Sequence, residues 1–237
     1  MSEKSLGRVA RALLARMPRL RPQRYFALNG LDRRLEKYID YDDGYFVELG
    51  ANDGVTQSNT LYFERFRGWK GVLIEPTPHN FFKCKANRST LNSVHCAACV
   101  SFDYKDPFVR MLYSNLMTTT GDLDSDIADA TSHAQGGVKF LSSREEVVTF
   151  GALARPLNDI LIQAGAPDVI DLLSLDVEGV EIEVLKGVDH DRFKFRHILV
   201  ECRDLPTMRA YLQGQGYELI EKISEHDYIF DAIGLPA

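Results

Sequence analysis

Val47-Glu48-Leu49-Gly50-Ala51-Asn52-Asp53-Gly54 is the stretch on which the fold turns. Tyr45 to Leu49 is a short apolar run that ends on glycine, the pattern of a buried strand entering a tight turn. The same rhythm recurs along the chain. A helix is expected over 59–66, a strand over 71–74, a helix over 79–87 and a strand over 93–100. Further on, a strand over 170–175, a helix over 180–185 and a strand over 197–200 continue it, and 215–220 with 227–232 form a closing pair. Strands alternating with helices imply an α/β fold, a mostly parallel sheet with right-handed crossovers.

Residues 103–150 break the alternation. They are rich in Asp, Ser and Thr, with strand-like runs only at 108–113 and 146–150. A long irregular insertion in such a domain reads as a lid or substrate-binding segment. Residues 1–24 are basic, with seven Lys and Arg against Glu3, and Val9, Leu13, Leu14 and Met17 recur at helical spacing. The expected division is a basic N-terminal extension over 1–40 and one catalytic domain over 41–237. The extension raises contact with an anionic membrane surface or a cleaved transit peptide as sharper readings, and a surface helix as the plainer one.

Bulk numbers narrow the class. The chain has 237 residues, 45% hydrophobic and 26% charged, with net charge −6. That is an ordinary soluble composition, and its sign argues against general nucleic-acid binding. No apolar run is long enough to span a bilayer. Four cysteines without regular spacing favour a reducing, cytoplasmic setting. Cys96 and Cys99 form a CxxC, but on a continuous strand 93–100 they would face opposite ways, which disfavours a metal.

In open α/β sheets ligands bind outside the carboxyl ends of the strands. Glu48, Glu75 and Asp176 all fall at such ends. The turn Gly50 to Gly54 lacks the G-x-G-x-x-G pattern, because Asn52 and Val55 stand where the second and third glycines belong. A pyrophosphate is therefore disfavoured, and Glu48 would repel one. A cationic cofactor, S-adenosylmethionine, suits the loop better. Glu75, followed by Pro76, is placed to accept hydrogen bonds from ribose hydroxyls. Ser58 and Asn59 either cap the first helix or hold the cofactor's carboxylate with its amides. The loop residues Gly50, Ala51, Asn52, Asp53 and Gly54, with Ala97 on the third strand, complete the expected cofactor set. Asp176 and Glu178, in Ser174-Leu175-Asp176-Val177-Glu178-Gly179, would lie beside the reacting methyl, as general base or as helix-start acids. Glu201 with Asp176 could hold a divalent ion, though two separated acids are thin support. His133 and His226 are the histidines placed to reach the cleft.

These motifs together resemble the FkbM-type family of S-adenosylmethionine-dependent methyltransferases. The resemblance is carried by Glu48 to Gly54 with Gln57-Ser58-Asn59-Thr60, Gly68 to Pro76, Leu173 to Gly179 with Glu181 and Leu185-Lys186-Gly187, and Ile198 to Glu201. It implies a Rossmann-like class I methyltransferase: seven strands, the last antiparallel, helices on both faces, and an insertion before the fourth strand. It also implies transfer of a methyl to a hydroxyl, commonly of a sugar in a polysaccharide, glycolipid or glycosylated natural product. The first-loop acid of the family is often Asp where this chain has Glu48. The competing readings are a nicotinamide-dependent oxidoreductase and a non-catalytic nucleoside-binding scaffold. The missing glycines count against the former, and the intact acids against the latter.

Overall fold

The structure, a computed structural model, describes residues 23–235. Nearly all of the basic segment read over 1–24 lies outside them. The first described helix, α1 (Leu31–Leu35), buries Leu31 and Leu35. Phe26 and Ile39 are buried beside them, so this stretch packs into the main body.

The chain then runs β1 (Tyr45–Leu49), α2 (Leu61–Arg67), β2 (Lys70–Ile74), α3 (Pro78–Asn87) and β3 (Ser93–His95). A small second sheet comes next, built from β4 (Ala98–Cys99), β5 (Phe108–Tyr113), β6 (Thr119–Thr120) and β7 (Val148–Arg155), with α4 (Ala130–Gly136) between β6 and β7 in sequence. The remaining elements are α5 (Leu157–Ala164), β8 (Val169–Leu175), α6 (Glu181–Leu185), β9 (Lys194–Glu201), α7 (Leu205–Gly214), β10 (Tyr217–Lys222) and β11 (Asp227–Ala232).

The main sheet has seven strands in the order β10-β11-β9-β8-β1-β2-β3. All its pairings are parallel except those of β11, which is antiparallel to both neighbours. This is the Rossmann-like class I methyltransferase arrangement. The first three strands step one way from β1, and the chain then crosses to β8 on the other side. The order reverses between β1 and β8, and a crevice opens at their carboxyl ends.

The period of two along the strands sorts side chains between two cores. Val47 and Leu49 of β1 face α5, α6 and α7 through Leu161, Val184 and Leu212. Phe46 faces the other way, onto Leu35, Leu61, Phe63 and Trp69. Both faces are apolar, which is why β1, β2 and β8 read as mainly hydrophobic runs, interrupted by Glu48, Lys70, Asp171 and Ser174.

Three expectations are corrected. The strand over 93–100 is two strands in two sheets: Val94 pairs with Leu73, but Ala98 pairs with Ala154. Cys96 lies in the link, and all four cysteines are free. The run at 146–150 is displaced and longer, Val148–Arg155, because β5 pairs with it over six residues. The first helix starts at Leu61 and not at Asn59, since Ser58 to Thr60 are held by Glu48, as described below.

Candidate functional site

The turn after β1 presses directly on the tip of β8. Gly50 has φ 76°, and a Cβ there would lie 2.0 Å from the carbonyl oxygen of Asp176. Only glycine allows both the left-handed backbone and that approach. The amides of Gly50 and Ala51 both donate to the Ile74 carbonyl at 3.1 Å, tying the turn to the end of β2.

Glu48 does not face the crevice as a free charge. Its carboxylate accepts from Ser58 Oγ (3.0 Å), Thr60 Oγ1 (2.6 Å), the Asn59 amide (2.9 Å) and Arg88 (3.1 Å). Arg88, at the end of α3, is itself buried and also donates to the Gly54 carbonyl, Ser58 Oγ, Thr60 Oγ1 and Glu64. The expectation that Glu48 faces a cationic ligand as a free charge is thus corrected: it is paired with Arg88, which it shares with Glu64. The Asn59 amide is likewise spent on Glu48. Ser58 Oγ accepts from the Leu61 amide at 3.1 Å, a capping role.

Asn59 keeps one group in reserve. Its Nδ2 donates to Ser174 Oγ at 3.0 Å, while its Oδ1 is buried without a partner among the described residues. Buried acceptors are rarely left so, and an unpaired one in a cavity wall marks a place for a donor.

Glu75 is buried at the end of β2 and accepts from the amides of Asn52 (2.9 Å) and Thr77 (2.8 Å), one on each oxygen. A carboxylate has about four lone-pair sites, so each oxygen keeps capacity for a hydroxyl. Burial pushes its carboxyl above the usual range, against the pull of those hydrogen bonds.

The turn after β8 is the acidic end. Asp176 is pushed well up, first by burial and then by Glu178, Glu201, Glu181 and Asp227. Glu201 rises to about 7 and Glu181 to about 8, in both cases chiefly through burial. Arg203 threads the group, 3.2 Å from Glu201 and 3.3 Å from Glu178. His133 Nε2, from α4 of the insertion, sits 2.8 Å from Glu178 Oε2.

A cavity of about 310 Å³ joins these parts. Glu48, Gly50, Asn52, Ser58, Asn59, Glu75, Pro76, Ala97, Asp176 and Glu178 all line it. Ala51, Asp53 and Gly54 do not. Asp53 turns back to receive the amides of Val55 and Thr56, and Gly54 lies against Cys84 and Arg88. Among the described residues, four of the six non-glycine positions with positive φ, Asn52, Gln57, Asn115 and Glu178, belong to the wall. Such strain collects where a site holds its walls in place.

The insertion supplies the roof, through Met111, Asn115, Leu116, Met117, His133, Lys139 and Phe140. Asn52 Nδ2 donates to Asn115 Oδ1 at 3.1 Å, and Thr119 Oγ1 donates to the Glu178 carbonyl at 2.9 Å. The Asp126 amide donates to the Gly179 carbonyl at 2.9 Å. Apart from His133, and Met111 on the run read at 108–113, none of these roof residues stands out in the sequence, because they belong to segments without a periodic pattern. His226 stays out of the wall. Among the described residues no group of three or more His, Cys, Asp or Glu is arranged to hold a metal.

Comparison with known proteins agrees with the strand order. The sequence profile of the Methyltransferase FkbM domain matches residues 48–230. Methyltransferase sdnD of Sordaria araneosa is 37% identical over 81 residues, which cover 29% of this chain and 31% of that protein. Methyltransferase 1 of Beauveria bassiana is 25% identical over 197 residues, 74% of this chain and 73% of its own. Among solved structures, the precorrin-6y C5,15-methyltransferase of Geobacter metallireducens covers 85% of this chain and 87% of its own at 13% identity, with a TM-score of 0.40. A methyltransferase from Pyrococcus furiosus covers 95% and 98% at 14% identity, with a TM-score of 0.39. The strand order itself establishes the fold.

Proposed function

Since the chain belongs to the Methyltransferase FkbM domain family, we propose that it is an S-adenosylmethionine-dependent O-methyltransferase acting on a hydroxyl of a sugar in a polysaccharide, glycolipid or glycosylated natural product. The observation that carries this reading is one cavity at the β1/β8 switch point with unspent hydrogen-bonding groups at both ends.

The residues present fit the cofactor. Glu75 has acceptor capacity left for two ribose hydroxyls, and Asn59 Oδ1 is an unpaired acceptor suited to an ammonium group. Gly50 leaves open backbone where any side chain would collide, and Pro76 and Ala97 offer apolar wall. S-adenosylmethionine supplies an activated methyl group on a sulfonium leaving group.

The protein's remaining tasks are alignment, exclusion of water and handling one proton. Leu116 and Met117 give the roof apolar surface. Asp176, raised by burial and then by its acidic neighbours, is suited to donating a hydrogen bond as the neutral acid. His133, whose Nε2 lies 2.8 Å from Glu178 Oε2 on the cavity wall, is the proton acceptor this reading assigns for an alcohol. This assigns to the His133–Glu178 pair the role that the sequence suggests for Asp176 and Glu178 together.

Calorimetry with S-adenosylmethionine, its demethylated product and NAD tests the reading. Binding of the first two is expected; binding of NAD only would overturn it. Methyl transfer from labelled S-adenosylmethionine to a panel of glycosides then tests the acceptor class.

A further inference from the structure

Two asparagines join the floor of the cavity to its roof. Asn52 lies in the turn after β1 and Asn115 in the turn after β5; both line the cavity, and both have left-handed backbone, with φ 46° and 54°. Asparagine accepts that conformation better than most side chains. Their carboxamides show what holds them there. Asn52 Nδ2 donates to Asn115 Oδ1 at 3.1 Å, and Asn115 Nδ2 donates to the Phe140 carbonyl at 3.1 Å. At the other end, the Asn52 amide donates to Glu75 Oε2 at 2.9 Å. Four residues thus stand in line, from the acid at the end of β2 to Phe140 in the roof.

The roof turns are packed into one piece. A Cβ at Gly137 would lie 2.2 Å from Ser114 Oγ and 2.9 Å from Met117 Cβ, so the turn Gly137–Phe140 sits directly on the turn Asn115–Met117. Ser114 Oγ donates to the Ala134 carbonyl at 2.5 Å, which joins α4 to the same unit. On the β8 side this unit is pinned by Thr119 and Asp126, on the carbonyls of Glu178 and Gly179. On the β1 side it is pinned by the bond between Asn52 and Asn115. A roof held at two edges is set by both, and the β1 edge is the one that answers to Glu75.

We infer that Asn115 is a positioning residue, which sets the roof of the acceptor end from the cofactor loop. It works through Asn52 on one side and the Phe140 carbonyl on the other. The inference rests on the methyl-transfer reading above, in which ribose hydroxyls meet Glu75. A ligand there fixes Glu75 and the turn that carries Asn52. Asn115 then pairs with a group already held in place, at a smaller cost in lost freedom, and the turn Gly137–Phe140 firms with it. The acceptor site is thus completed by the cofactor, and the order of binding follows: cofactor first, acceptor second. The coupling is reciprocal, so a roof that cannot follow Asn52 returns less to cofactor binding.

The test is hydrogen exchange over residues 114–118 and 137–141 of the full chain, read by mass spectrometry with and without S-adenosylhomocysteine, the demethylated product. In wild type the ligand should slow exchange over 137–141 about fivefold, the size of one net hydrogen bond. Asn115→Asp keeps an acceptor for Asn52 but sets a carboxylate oxygen against the Phe140 carbonyl, so the ligand should no longer protect 137–141. Asn115→Gly relieves the left-handed backbone and removes both bonds, and should behave alike. S-adenosylhomocysteine affinity, read by calorimetry, should fall by that same factor in Asn115→Gly. A merely structural role would speed exchange equally with and without ligand, leaving the difference intact. Equal ligand protection of 137–141 in wild type and both variants overturns the proposal, because the roof then answers to the occupant directly. Binding to wild type without any protection of 137–141 also overturns it. No binding to wild type at all overturns the methyl-transfer reading as well, so the two failures are told apart by the calorimetry.

Discussion

Arg88 donates to Glu48 at 3.1 Å across 40 residues of sequence, with side chains 0% and 5% exposed. The acid at the end of β1 is therefore a structural anchor. It holds Ser58, Asn59 and Thr60 in line, and through them the wall that carries the unpaired Asn59 Oδ1.

Removing one member of this pair strands a buried charge. Arg88→Met should cost about 3–5 kcal/mol of folding stability, measured by urea denaturation, with Glu48→Gln costing less. The double variant should recover part of the loss. Strict additivity in this double-mutant cycle would mean that the two groups do not interact.

Gly50→Ala places a methyl group where the Asp176 carbonyl already is, at a left-handed φ. S-adenosylmethionine affinity should fall by more than about tenfold, a loss of over about 1.4 kcal/mol, read by calorimetry. Stability should fall as well. Unchanged affinity would show that the turn is not part of the cofactor wall.

Glu75 offers a graded test. Glu75→Ala removes both acceptors and should weaken S-adenosylmethionine binding by ~1–3 kcal/mol. Glu75→Gln keeps one oxygen and should lie between wild type and Ala. Equal affinity in all three would take ribose recognition away from this residue.

The acids behind the β8 turn give the fold a pH signature. Glu181 titrates at about 8 and Glu201 at about 7 in the folded chain, far above an unfolded glutamate. Between the unfolded and folded values the native state holds protons that the unfolded state has lost. Stability should therefore decline as pH rises from about 4.5 toward 7 for Glu201 and 8 for Glu181, and level off above. Each carboxyl adds a slope of at most about 1.4 kcal/mol per pH unit. Urea midpoints across this range should drop less steeply in Glu181→Gln, which cannot ionise.

His133→Asn should lower kcat by ~10²–10⁴ while leaving S-adenosylmethionine affinity within about twofold, since a proton acceptor acts on the chemical step. Glu178→Gln should lower kcat less and move the pH profile. Loss of cofactor affinity in His133→Asn, with kcat preserved, would place His133 in binding.

Much of this is legible in the chain. Tyr45–Leu49, Phe108–Tyr113 and Asp227–Ala232 are strands with the bounds read from their apolar patterns, and Glu75 and Asp176 do meet in one cavity. What escapes depends on partners far apart in sequence. Nothing near Glu48 announces Arg88, so its charge looks available. The break after His95 is invisible locally, because Ala98 leaves the main sheet only to pair with Ala154. Leu157, Ile160 and Leu161 do show the i, i+3, i+4 spacing of α5, a helix signal present in the sequence and absent from the expected elements. The roof is unreadable for another reason. Asn115, Met117 and Phe140 belong to short turns whose place is set by contacts and not by period.

The hop from β3 to β4 carries a further meaning. Cys96 and Ala97 are the whole length of chain between one sheet and the other, and Ala97 is itself cavity wall. Floor and roof thus share a joint two residues long, and whatever occupies the cavity rests against it. Tilting the small sheet must turn that joint, so an occupant touching Ala97 is in mechanical register with the insertion that roofs it.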